Sequence, residues 1–155
     1  MSPIKVAPLG ALLAATTALA GTPRTFIDAR TNTLNKTDPP FSGSVKVGDT
    51  LYISGQIGLG PDRKPPQDVA EEARLVMEAM KNQLVKAGMT MDDLVSVQFY
   101  CSDVKHYDAF NAVYRGYFTK EFPARAFLGS GGLLFGARFE VVGLGDSANL
   151  NQRPN

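Results

Sequence analysis

Arg125 and Glu140 are the residues of this chain best suited to chemistry on a small organic acid. They stand fifteen positions apart in apolar, alternating surroundings, Ala124-Arg125-Ala126-Phe127-Leu128 and Phe139-Glu140-Val141-Val142. A charge in such a setting is normally paired or employed, because burying an unpaired one is costly. The guanidinium fork can grip a carboxylate through two parallel N–H bonds, and a glutamate beside the bound acid can move protons. A cross-strand ion pair between the two would account for the same residues without chemistry, by holding the register of two strands. Spacing alone leaves both readings open.

Periodicity identifies the elements that must position them. Segments 122–128 and 137–144 flank a glycine-rich connection, Gly129 to Gly136, which predicts two strands paired antiparallel. Residues 44–47 and 50–57 read as two further strands around Gly48-Asp49, and 94–101 as another. In the second of these, Tyr52, Ser54 and Gln56 share one face while Leu51, Ile53, Gly55 and Ile57 share the other. In 94–101, Val95, Val97, Phe99 and Cys101 oppose Leu94, Ser96, Gln98 and Tyr100.

Residues 67–87 carry a helical stripe of Val69, Ala73, Val76, Met77, Met80 and Leu84, with Glu71, Glu72, Arg74, Glu78 and Lys81 off it. Asp68 is a capping residue and Gly88 a stop. A second helix, capped by Ser102 or Asp103 and running to about Phe118, presents Val104, Tyr107, Phe110, Val113 and Tyr117. Five strands and two helices give an α+β sandwich, a mixed sheet with both helices on one face. The other face offers Tyr52, Tyr100, Phe127 or its neighbours, Val142 and Leu144, which is too apolar to stay wet, so self-association through it is expected.

The 155 residues suffice for one domain, and a net charge of +1 with no basic run leaves no electrostatic footprint for nucleic acid. One cysteine and one histidine exclude an internal disulfide and a Cys/His zinc site; Cys101 sits in an apolar strand as a small core residue. Residues 1–20 read as a signal peptide: Lys5, a charge-free run from Val6, and Ala18-Leu19-Ala20 before Gly21. The run is too short for a membrane span. Export is then expected, most simply to a bacterial periplasm, with cytoplasmic residence if the segment is no true signal. Protein purified from its host should begin at Gly21; an intact Met1 on the soluble protein would remove the export reading. Residues 21–40 read as an irregular lead-in and 146–155 as a flexible tail, leaving 41–145 as the folded domain.

Over about residues 38 to 145 the chain resembles the reactive-intermediate deaminases, the RidA or YjgF family. The matching pieces are Pro40-Phe41-Ser42, Tyr52-Ile53-Ser54-Gly55-Gln56-Ile57, the helix opening Asp103 to Asn111, Phe122-Pro123-Ala124-Arg125, and Glu140. The resemblance implies a homotrimer of the chorismate-mutase-like fold with sites in clefts between subunits. It implies cofactor-free hydrolysis of enamine or imine acids of the 2-aminoacrylate type to 2-keto acids and ammonia, a detoxifying reaction. Carried over position by position, Arg125 clamps the carboxylate and Glu140 activates water or delivers a proton. Backbone groups at Phe127 and Gly55 position substrate and water, and Ser54, Tyr107 and Asn111 shape the pocket.

The chain also departs from that pattern. Phe41 lacks the hydroxyl of the tyrosine common there, Phe127 replaces a small residue or cysteine, Val142 stands where a second acid is common, and Gly58 replaces a proline. The alternative is a non-catalytic trimeric binding module, for small carboxylic acids or for a protein partner. An RNA-cleaving activity has been attached to the family, and the near-neutral charge argues against it.

Overall fold

The computed structural model describes residues 21–29 and 38–148. Six strands form one sheet: β1 (Arg24–Ile27), β2 (Ser44–Val47), β3 (Thr50–Ile57), β4 (Leu94–Cys101), β5 (Ala124–Gly129) and β6 (Phe139–Asp146), in the spatial order β1-β2-β3-β6-β4-β5. Helices α1 (Val69–Lys86) and α2 (Tyr107–Tyr114) cover one face. No helix among the described residues is long and apolar enough to cross a membrane. The proposed signal segment 1–20 lies outside the described residues.

The α1 stripe buries as its spacing predicts: Ala73, Val76, Met77, Met80 and Leu84 pack against Leu51, Ile53, Val97, Phe99 and Val141. Asp68 caps the helix by accepting from the Ala70 N–H at 3.1 Å. Gly88, at φ +75, closes it in the left-handed region that glycine tolerates. Of the stripe expected for the second helix, Phe110 is buried and Val113 and Tyr117 pack partly against the core, whereas Tyr107, and Val104 in the turn before α2, are exposed and Tyr114 is buried. The apolar stripe is therefore shifted toward the C-terminal end of the one anticipated.

Several expectations are corrected. The lead-in is not irregular throughout: β1 pairs antiparallel with β2. It is tied to α1 through Asp28, whose carboxylate accepts from Lys86 and from Gln83 Nε2, bonds that hold it below the usual carboxylate range. Nor does the tail start at Asp146. That residue ends β6, and Ser147 is buried, its N–H and hydroxyl donating to the Asp49 carbonyl at 2.9 and 3.1 Å. Strands β5 and β6 are not a pair. β5 lies parallel to β4 at the sheet edge, and β4 separates it from the antiparallel β6.

Two register shifts re-aim side chains. One between Ile53 and Gln56 sets Ile57 opposite Glu140, so Gly55 and Ile57 turn to the uncovered face and not to the one shared by Leu51 and Ile53. One between Leu94 and Ser96 turns Leu94 inward and leaves Val95 exposed. Phe127 belongs to the helix-covered face, stacked on Phe99 at 6.0 Å. The uncovered face carries Phe26, Tyr52, Leu128 and Leu144, all substantially exposed.

Candidate active site

Arg125 enters the structure from the edge strand β5, level with the buried Val97 of β4, and so points toward α2. Its Nη1 donates to Asn111 Oδ1 at 2.7 Å and its Nη2 to the Tyr107 hydroxyl at 3.2 Å. The guanidinium also lies over aromatic rings, 4.7 Å from the centroid of Tyr114, 5.6 Å from Tyr107 and 5.8 Å from Phe127. This cage fixes the plane of the fork. Each terminal nitrogen keeps a second hydrogen, so donors remain for a planar anion.

The cage is itself held by packing. Phe127 meets Tyr107 edge-on at 5.1 Å and packs on Phe110 at 5.6 Å, while Tyr114 stacks on Phe122 at 5.9 Å. A cleft of about 210 Å³ opens beside Arg125, walled by Tyr107, Asn111, Tyr114, Arg115, Phe122 and Pro123. That size suits a small metabolite, below the roughly 300 Å³ at which drug-sized pockets begin. Among the described residues the Tyr114 hydroxyl is buried without a hydrogen-bond partner, and burial pushes its pKa up to about 12, with Arg125 drawing it down only in part. Tyr114, Arg115 and Phe122 were not anticipated as site residues. Helical spacing carried the signal, since Tyr114 and Arg115 follow Asn111 by three and four positions.

Glu140 is elsewhere. It alternates with the buried Phe139 and Val141 of β6, pairs with Ile57 and Tyr100, and faces away from the helices. Glu140 is level with Tyr100, and Tyr100 with Leu128, three residues beyond Arg125 on β5. Two strand spacings and three residues set the two Cα atoms about 14 Å apart, with side chains on opposite faces. The cross-strand ion pair is thereby excluded within one chain.

The carboxylate of Glu140 lies over Gly55, where a Cβ would collide with Glu140 Oε1 and stand 3.0 Å from Cδ. The residue upstream, Ser54, is engaged in the backbone: its hydroxyl donates to the Ser42 carbonyl at 2.7 Å and its N–H to Gly43 at 3.0 Å. These bonds lay the segment containing the exposed Phe41 alongside Ser54 and Gly55. The anticipated residues therefore form two groups: Arg125, Asn111, Tyr107 and Phe127 on the helix side, and Glu140, Gly55, Ser54 and Phe41 at the far side of the sheet.

Comparison with known proteins places the chain in a family. Residues 32–145 match the profile of the endoribonuclease L-PSP family. The mitochondrial protein MMF1 of Saccharomyces cerevisiae is 32% identical over 123 residues, 76% of this chain and 85% of that protein. Human 2-iminobutanoate/2-iminopropanoate deaminase is 36% identical over 104 residues, 66% of this chain and 76% of that protein. The crystal structure of the YjgF gene product of E. coli superposes with a TM-score of 0.66 at 28% identity, over 69% of this chain and 87% of that one. The Ser54-Gly55-Gln56-Ile57 segment lies under Glu140 and the Pro123-Ala124-Arg125 segment beside α2, and the chain, matched over residues 32–145, belongs to the endoribonuclease L-PSP family of RidA and YjgF proteins.

Proposed function

We propose that the protein hydrolyses the imine and enamine forms of small 2-amino acids, the 2-aminoacrylate type among them, to 2-keto acids and ammonia, without a cofactor, in sites between the subunits of a homotrimer. The observation that carries this reading is the oriented fork of Arg125, held by Asn111 and Tyr107 with hydrogens to spare beside a metabolite-sized cleft. The deaminase activity named for the human relative supports the same class of reaction.

The chemistry runs in two proton-balanced stages. An enamine first takes a proton at its terminal carbon and becomes the protonated imine, the iminium. Water then adds to the imine carbon: its oxygen forms the new C–O bond, and its proton passes by way of a carboxylate to the nitrogen. The carbinolamine collapses when its hydroxyl loses a proton and the C–N bond breaks, releasing ammonia and leaving the keto acid. Arg125 anchors the substrate carboxylate and Glu140 carries the protons. Because Val142 supplies no second acid on that stretch of β6, the relay depends on Glu140.

Arg125 and Glu140 point from opposite faces of one sheet, so a functional pair requires Glu140 from a neighbouring copy. The uncovered apolar face gives the copies a reason to associate. The test is complementation. Arg125→Ala and Glu140→Gln are each expected to be inactive as pure trimers, while subunits mixed one to one and reassembled should recover about a quarter of the wild-type sites, those pairing an intact Arg125 with an intact neighbouring Glu140. Recovery of nothing from verified mixed trimers would overturn the shared site.

A further inference from the structure

The cleft beside Arg125 holds a second guanidinium for which the deamination reading has no task. Arg115 lines the same cleft, one helical turn after Asn111, the residue that accepts from Arg125. The arginines of α1 and of the approach to β6 are engaged, Arg74 with Glu71 and Arg138 with Glu72. Arg115 is exposed and makes no ion pair or hydrogen bond among the described residues. Among the described residues of the subunit no acidic side chain lines the cleft, whose other walls are tyrosines, Asn111, Phe122 and Pro123. Within one subunit, two cations face one small, partly apolar cavity without a counter-charge, and even with one carboxylate from the neighbouring Glu140 the positive charge at the Arg115 end stays unmatched, which favours negative charge there.

From this juxtaposition we infer that Arg115 is a specificity residue that binds a second carboxylate on the substrate side chain, so that the imines preferred here are those of dicarboxylic amino acids. The inference rests on the deamination reading for the reaction, which is unchanged: water adds at the imine carbon, ammonia leaves, and the second carboxylate takes no part in bond making. It adds where the rest of the substrate lies. With Arg125 holding the carboxylate next to the imine carbon, the side chain runs along the α2 wall past Asn111 to Arg115. A side chain ending in a methyl group would leave Arg115 unpaired there. Arginine suits this end of the cleft because its fork meets a carboxylate through two bonds.

The experiment measures kcat/KM for imines generated in situ from glutamate and aspartate, and from alanine and leucine, with wild type, Arg115→Gln and Arg115→Lys. The wild type should prefer the dicarboxylates. Arg115→Gln should lower the ratio of dicarboxylate to monocarboxylate kcat/KM by about 10- to 150-fold, the range for a hydrogen bond to a charged group, with Arg115→Lys in between. Equal or better turnover of the alanine and leucine imines by wild type, or a ratio unmoved in Arg115→Gln, would overturn the inference and leave the deaminase reading intact. If no imine is hydrolysed faster than in buffer, the deaminase reading falls. Calorimetry with 2-oxoglutarate then decides the second site alone: binding weakened tenfold or more in Arg115→Gln supports it, and equal binding by both proteins refutes it.

Discussion

Glu140→Gln is expected to fold and assemble normally and to lose about 10² or more in kcat for imine hydrolysis, and Gly55→Ala is expected to do nearly the same without removing a titratable group. The first change keeps the size of the side chain and abolishes its capacity to take a proton from water. The second acts through space. A methyl on Gly55 would occupy the position of the Glu140 carboxylate oxygen, and since that oxygen ends a flexible side chain, the carboxylate moves and the strand does not. Displacing a proton carrier by an ångström or more from the attacking water breaks the alignment that proton transfer requires. Both variants should therefore melt close to wild type, whereas one that unfolds early would show the contact to be structural. Full turnover by Gly55→Ala would mean that the placement of Glu140 is immaterial, and full turnover by Glu140→Gln would take the carboxylate out of the mechanism.

Much of this arrangement was legible from residue spacing because it depends on short-range periodicity. The α1 stripe of Val76, Met77, Met80 and Leu84 buries as read, and Asp68 and Gly88 bound the helix. Tyr107 and Asn111, which the family motifs singled out as pocket residues, meet Arg125 from α2. The misreadings have physical causes that spacing does not encode. Two strands joined by a glycine-rich loop look like a hairpin, yet β5 pairs parallel to β4, and only the sheet order reveals it.

A register shift between Ile53 and Gln56 inserts one residue, and with a period of two that turns Gly55 and Ile57 over. β1 is short, mostly exposed and held through Asp28 to α1, so its sequence lacks the alternation that marks a half-buried strand. Gly58, read only as a departure from the family, proves to be required by packing: a Cβ there would meet the Glu72 carbonyl at 2.5 Å.

Glu72 was the least legible residue and is the subject of the largest stability effect expected. Helical phase placed it off the apolar stripe, yet its side chain is wholly buried. Three donors account for this. Glu72 Oε1 accepts from the backbone N–H of Arg138 at 2.5 Å and of Phe139 at 3.2 Å, and Oε2 accepts from Arg138 Nη1 at 2.5 Å. The same guanidinium donates to the carbonyls of Pro66 and Gln67, so one carboxylate joins the start of α1, the loop before it and the entry to β6. Glu72→Ala leaves two backbone donors and a half-buried guanidinium without their acceptor. Breaking such a pair from one side costs about 3 to 5 kcal/mol, which for a domain of this size lowers Tm by on the order of 10 °C. Glu72→Gln can still accept from the backbone through its amide oxygen but turns its NH₂ toward Arg138, so its loss should be smaller. An apolar pair, Glu72→Met with Arg138→Leu, would relieve the stranded charge but not the two N–H groups, and should recover only part of the deficit. If thermal unfolding places Glu72→Ala within a degree or two of wild type, the buried carboxylate is not what secures the entry to β6, and the position of Glu140 two residues beyond Arg138 must be fixed by the strand pairing alone.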